Sequence, residues 1–233
     1  MKNLLLVVLS ICLLQSCEQK TGSGNIETQG RSVGSFSAVS VGGSFKVEIR
    51  QGAANKVTVQ ADDNILEDIE TTVSSRKLRI EYRDNVSVSN ADVKITVETP
   101  ELSSVSASAS ADVNLLNVWT STKKMNFTAS SSASIEGEAD APAIDLEASS
   151  SGRITLKGRT RLLDTQASSA GSIEAGGLLS ETAGAQASSG ASISVHASIK
   201  LTAQASSGGS VNYRGNATLS RQESSGGSIN KVD

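Results

Sequence analysis

From Val105 to Lys231, apolar and small residues return in one phrase written seven times. It is clearest as Ala148-Ser149-Ser150-Ser151-Gly152-Arg153-Ile154, Ala167-Ser168-Ser169-Ala170-Gly171-Ser172-Ile173 and Ala187-Ser188-Ser189-Gly190-Ala191-Ser192-Ile193. The leading residues are Ala107, Ala129, Ala148, Ala167, Ala187, Ala205 and Glu223, so the spacings are 22, 19, 19, 20, 18 and 18. A period of this size signals stacked structural units. Aligned, the copies form columns. The leading place is almost always Ala, and the seventh reads Val113, Ile135, Ile154, Ile173, Ile193, Val211 and Ile229. Four residues before the leading place stand Met125, Ile144, Leu163, Ala183, Leu201 and Leu219. Alternation predicts that all three columns point inward. A coil of about 19 residues holds three strands of about five, with bends at the Ser/Gly phrase and at a second loop. Lys157-Gly158-Arg159, Ala175-Gly176-Gly177 and Arg214-Gly215-Asn216 are the second-loop candidates. The prediction is an all-β parallel β-helix solenoid, right-handed by the crossover rule. A left-handed hexapeptide helix ranks second, because the apolar places do not recur every six residues.

Upstream, from Gly34 to Pro100, alternation persists without the repeat. Phe45 to Arg50, Val57 to Val59, Leu78 to Tyr82 and Val93 to Val97 read as half-buried strands separated by turn signals. This part is expected to form the opening coils and an irregular β cap of the same solenoid, since an open solenoid end needs covering. The acidic stretch Asp62 to Glu70 reads as a solvated loop. A Ca²⁺ site is the alternative, but the stretch lacks the spacing and central Gly of a Ca²⁺-binding loop.

The N-terminus has a different logic. Met1-Lys2-Asn3 precedes an apolar run, Leu4 to Leu14, that is too short to span a bilayer and fits a secretory signal. Leu14-Gln15-Ser16-Cys17 resembles a bacterial lipobox, which makes Cys17 the expected lipidation site. The predicted organisation is a signal peptide over 1–16 and a lipidated cysteine with a flexible tether over 17–33. A single β-helix domain follows over 34–233, with clear repeats over 105–231. The polar, Gly-containing run Glu18 to Ser32 carries the tether reading. Such a protein sits on a membrane through its lipid and belongs to the cell envelope, on the outer membrane, with the face of the membrane open.

Composition narrows the chemistry. The net charge of -3 gives no electrostatic case for binding nucleic acid. Cys12 and Cys17 are the only cysteines, so the repeat has no thiol ligands, and no cofactor or metal is predicted. His196 is the single histidine and is placed on an exposed loop. The many serines have no basic partner in the repeat and read as architecture. Ala, Ser and Gly suit tight bends, Gly152, Gly171, Gly190, Gly208 and Gly226 permit positive φ, and inward serine hydroxyls are expected to bond along the stack. Charged residues such as Arg153, Glu136, Asp164 and Glu174 look scattered, without the stacked carboxylates of polysaccharide-active β-helices. One outward column stands out: Glu147, Gln166, Gln186, Gln204 and Gln222. It is either a structural amide ladder or a polar stripe for a glycan.

Taken together, the lipobox, the Phe36-Ser37-Ala38-Val39 to Gly52 strand pair and the Ala-Ser-Ser-x-Gly-Ser-Ile phrase resemble the DUF2807 family, the "putative auto-transporter adhesin, head GIN domain". The similarity covers roughly 34–230. It implies a β-helix in secreted or lipid-anchored proteins, common in Bacteroidetes, and the family has no catalytic motif to carry over. The expected function is a non-catalytic envelope lipoprotein with a binding or adhesion surface for a glycan or an envelope protein, with Gln166, Gln186, Gln204 and Gln222 as candidate ligand contacts. The alternatives are a polysaccharide-active enzyme and a purely structural envelope protein.

Overall fold

The structure is a computed structural model and describes residues 18–232. The expected signal peptide and the expected lipidation site, Cys17, lie outside the described residues. Seventeen strands join in one continuous sheet wound around a single core, and two more form a separate pair. The fold is the predicted β-solenoid.

Its regular part is built from β10 (Ser104–Ser108), β11 (Asp112–Thr120), β12 (Met125–Ala129), β13 (Ser134–Ala148), β14 (Arg153–Ala167), β15 (Ser172–Ala187), β16 (Ser192–Ala205), β17 (Ser210–Arg214), β18 (Thr218–Glu223) and β19 (Ser228–Lys231). Every pairing among them is parallel, with one repeat against the next. The seventh-place column is continuous and fully inward: Val113, Ile135, Ile154, Ile173, Ile193 and Val211 are each 1% exposed or less. Burying each such side chain contributes about 1.5–3 kcal/mol. The leading Ala column is buried from Ala107 to Ala205, and only Glu223 turns out to solvent.

One expectation is corrected. A coil is not three short strands. In β13 to β16 the backbone runs as one strand of 14 to 16 residues, closed by a single tight turn. Corners form inside the strand. Gly158 at φ 117 makes one, and a slip of inward–outward phase at Arg161-Leu162, both exposed, makes another. The expected second loops at Lys157-Gly158-Arg159 and Ala175-Gly176-Gly177 are therefore corners within β14 and β15: Gly158 and Arg159 stay paired to both neighbouring coils, whereas Gly176 and Gly177 bulge out of the ladder on both sides. Of the three candidates, only the loop at Arg214-Gly215-Asn216 interrupts a strand.

The Ser/Gly phrase is the tight turn. Gly152 N–H donates to Ser149 O, Gly171 to Ser168 and Gly209 to Ser206, at 2.8–2.9 Å. Both central residues have positive φ, as at Ser150 (48°) and Ser151 (63°) or Ser207 (49°) and Gly208 (74°). That is the signature of a type I′ turn. Adjacent turns are tied by backbone, with Ser151 N–H donating to Ser169 O and Gly190 N–H to Ser207 O. The turn serines are exposed or half-buried, so the expected inward serine ladder is corrected. The buried hydroxyls that bond along the stack belong to Thr165, which donates to Gly184 O at 2.9 Å, and Ser180, which donates to His196 O. Gly152 and Gly171 do not need positive φ; they are small because the carbonyl of the previous coil lies where a Cβ would sit.

The N-terminal part comprises β3 (Ala38–Gly42), β4 (Lys46–Gln51), β5 (Lys56–Asp62), β6 (Ile69–Ser74), β7 (Lys77–Tyr82), β8 (Val86–Ser89) and β9 (Lys94–Thr99). It adds two coils. β3 and β4 stack on β10 and β11, and β7 and β9 stack outside β3 and β4. Spatial order thus departs from chain order: the outermost coil is made by later residues. The open edge of that coil is covered by antiparallel β5 and β6.

The tether expectation fails. Residues expected to be flexible form β1 (Glu18–Thr21), parallel to β8, and β2 (Ile26–Arg31), antiparallel to β5. The solvated-loop reading of Asp62 to Glu70 fails with it. Asp68 is buried between Lys20 and Arg83, each 2.7 Å away, and Asp62 accepts from the backbone of Gly24 at 2.6 Å. Asp63 accepts from Ser23 and Asn25. The acidic run is the clamp for the N-terminal strands.

Candidate functional site

The candidate glutamines fall on one face because they hold one place in the repeat. Gln166 pairs in register with Gln186, Gln186 with Gln204 and Gln204 with Gln222, while Glu147 precedes Gln166. All five side chains are exposed. Gln166, Gln186 and Gln204 each sit one residue before an inward Ala, and Gln222 before Glu223, so two residues on stands the serine that opens the turn: Ser168, Ser188, Ser206 or Ser224. Amides form one wall and hydroxyls the other. Between them the Ala column leaves the strand backbone as a floor. The result is a polar groove of about 340 Å³. From Glu147 to Gln222 it crosses four rungs, about 19 Å at the spacing of paired strands. No turn in the repeat is charged, so the groove is neutral except at Glu147 and offers donors and acceptors in alternation.

Beside the Glu147 end lies a feature the sequence reading missed. Asp145 and Asp164 are in register in adjacent coils. Both stand three residues before the leading Ala, at Ala148 and Ala167, so the repeat offset carried the signal. The absence of stacked carboxylates is corrected by this pair, in which Asp145 is held by an ion pair with Lys124. Among the described residues, no group of three or more His, Cys, Asp or Glu side chains is arranged to hold a metal ion.

His196 is not on an exposed loop. It lies half-buried in β16, with Nδ1 buried and unpartnered. Ser180 uses its hydroxyl on the carbonyl of His196, not on the imidazole. Trp119 is buried inside the coil at 1% exposure and offers no sugar platform. Among the described residues no helix is long and apolar enough to cross a membrane.

A parallel β-solenoid with a lateral polar groove and an ordered N-terminal cap is the class that fold and site define. The chain belongs to the DUF2807 family, "putative auto-transporter adhesin, head GIN domain", whose model matches residues 35–217. Three solved structures have the same fold. A "putative adhesin" from Bacteroides fragilis is 19% identical with a TM-score of 0.83, covering 91% of this chain and all of its own. A "putative adhesin" from Parabacteroides distasonis is 21% identical with a TM-score of 0.76, over 92% of this chain and all of its own. A "putative lipid binding protein" from the same species is 20% identical with a TM-score of 0.72, over 93% of this chain and all of its own. No protein of curated function matches the chain.

Proposed function

We propose that this protein is a non-catalytic, lipid-anchored cell-envelope protein that uses the glutamine groove to bind an extended polar polymer, a glycan. The observation that carries the reading is the groove itself: four exposed amides one rung apart, faced by serine hydroxyls, over a floor of small residues. Such a surface matches a repeating hydroxyl-rich ligand by spacing and hydrogen bonding and needs no charge. Membership of a family described as adhesins agrees with a binding role at the envelope. The lipobox at Leu14 to Cys17 supplies the anchor, with the outer membrane as the expected site.

The test is binding of the purified protein to a panel of envelope and host glycans, beside the double variant Gln186→Ala, Gln204→Ala. Retention by the parent and loss by the variant, with unchanged stability, supports the reading. Binding of no glycan, or equal binding by both proteins, ends it. A second reading, cleavage of a polysaccharide, draws on the Asp145–Asp164 pair alone. It requires turnover that disappears in Asp164→Asn.

A further inference from the structure

We infer that the anchor is rigid: the N-terminal cap rides at the lipid headgroups and the groove is carried on the outboard end of the solenoid. The inference rests on the reading of Cys17 as lipidated and adds an orientation to it. Its basis is the loss of the tether. The paired strand β1 starts at Glu18, the residue after the cysteine, so an acylated Cys17 is attached about 3.8 Å along the chain from a paired strand.

That strand is fastened at several points. Glu18 N–H donates to Asn85 O at 2.7 Å and Gly22 N–H to Ser89 O at 3.2 Å, bracketing the β1–β8 ladder. Lys20 reaches the buried carboxylate of Asp68 at 2.7 Å. Next, Gly24 N–H donates to Asp62 Oδ1, and Ser23 and Asn25 bond Asp63. Gly22 has no room for a Cβ, which would fall 2.7 Å from Asn90 O and from Asp62 Oδ2. Fifteen residues of free Gly-containing chain, Glu18 to Ser32, would give a reach of about 20 Å; here that slack is folded away. β8 connects β7 to β9, the outermost coil at the N-terminal end. The lipid therefore attaches at that end of the stack.

The register fixes the height of the rest. Lys77, Ala38, Ser104, Asn126, Asp145, Asp164, Gly184, Thr202 and Ser220 form one column through nine rungs. Ser220 thus stands about 38 Å along the axis from the cap. In the parallel column the groove starts at Glu147, about 19 Å from the cap, and runs to the far end. With the solenoid axis along the membrane normal, an anchor without slack keeps the groove away from its own membrane, open to the side.

The experiment uses the full lipidated chain in vesicles of phosphatidylethanolamine and phosphatidylglycerol that carry a headgroup energy acceptor. Acylation leaves no free thiol on the mature chain. Single donor dyes go on Ser87→Cys, exposed in β8, and on Ser220→Cys, exposed in β18. The expected result is transfer severalfold stronger from position 87 than from 220. A Gly/Ser insert of a dozen residues between Cys17 and Glu18 should shrink that ratio. Equal transfer from the two positions in the parent, or a ratio unmoved by the insert, overturns the rigid anchor. Detergent-phase partition and the mass of the N-terminal peptide report acylation separately. A chain that is not acylated overturns the lipoprotein reading itself, and the inference with it.

Discussion

Gly208 and Gly209 are neighbours in one turn and are glycine for opposite reasons. At Gly208, φ is 74° and a Cβ would meet nothing within 4 Å. The equivalent place holds Ala170 at φ 61° and Ser151 at φ 63°. Alanine at 208 therefore suffers the left-handed penalty of about 1–2 kcal/mol, offset by about 0.4–1 kcal/mol from a less flexible unfolded chain. A net loss near 1 kcal/mol is expected. At Gly209 a Cβ would fall 2.6 Å from Ala187 O and 2.8 Å from Ser188 N. That carbonyl accepts the Ser206 N–H at 3.0 Å, so it cannot move without weakening a bond between coils. Ala occupies the same place at 111, 133 and 191, so the backbone can open there. Where it has closed on a carbonyl, reopening it costs about 1–3 kcal/mol, as overpacking does. Urea unfolding of Gly208→Ala and Gly209→Ala, followed by circular dichroism, measures both. The expected order is Gly209→Ala less stable than Gly208→Ala. If Gly209→Ala matches the parent while Gly208→Ala falls, close approach of the coils is not what selects glycine at that place.

Further outcomes follow from the core and the cap. Ile173→Ala empties part of a column between Ile154 and Ile193 and should cost about 2–5 kcal/mol in the same unfolding assay, against about 0.5–1.5 for Ile173→Val. Tyr82, whose ring lies 4.5 Å from that of Phe45, has its phenol pushed up to about 12 by burial first and by the charge of Asp62 second. A raised folded value means stability that is full below the ordinary 10.0 and is lost as pH climbs toward 12. Ultraviolet titration should show one of the two tyrosines ionising late, and Tyr82→Phe should remove that phase. Asp63 is held below its ordinary value by hydrogen bonds from Ser23, Asn25 and the Asn64 backbone. Its contribution is present above pH 3.8 and fades as pH falls through the lower folded value, so amide exchange at Ser23 to Asn25 should accelerate there before the core opens.

The sequence alone determined the solenoid, its parallel register and its inward columns, because a repeat writes the same contact many times. Any residue that holds one offset from the leading Ala must stack on its counterparts, which is why the glutamine column was legible, and why Asp145 and Asp164 could have been. Tertiary structure decided what single copies cannot encode. β2 exposes nearly every side chain and is held by backbone pairing to β5, so no hydrophobic pattern marks it. β1 is fastened by Asn85, Ser89 and Asp68, residues far along the chain, and a polar Gly-containing run looks the same whether or not such partners exist. The outermost coil comes from β7 and β9 rather than from the first strands, an order set by where the edge had to be covered. Periodicity fixes neighbours one coil apart; the ends of a solenoid have no neighbour on one side, and there the chain must fold back on itself to satisfy its backbone.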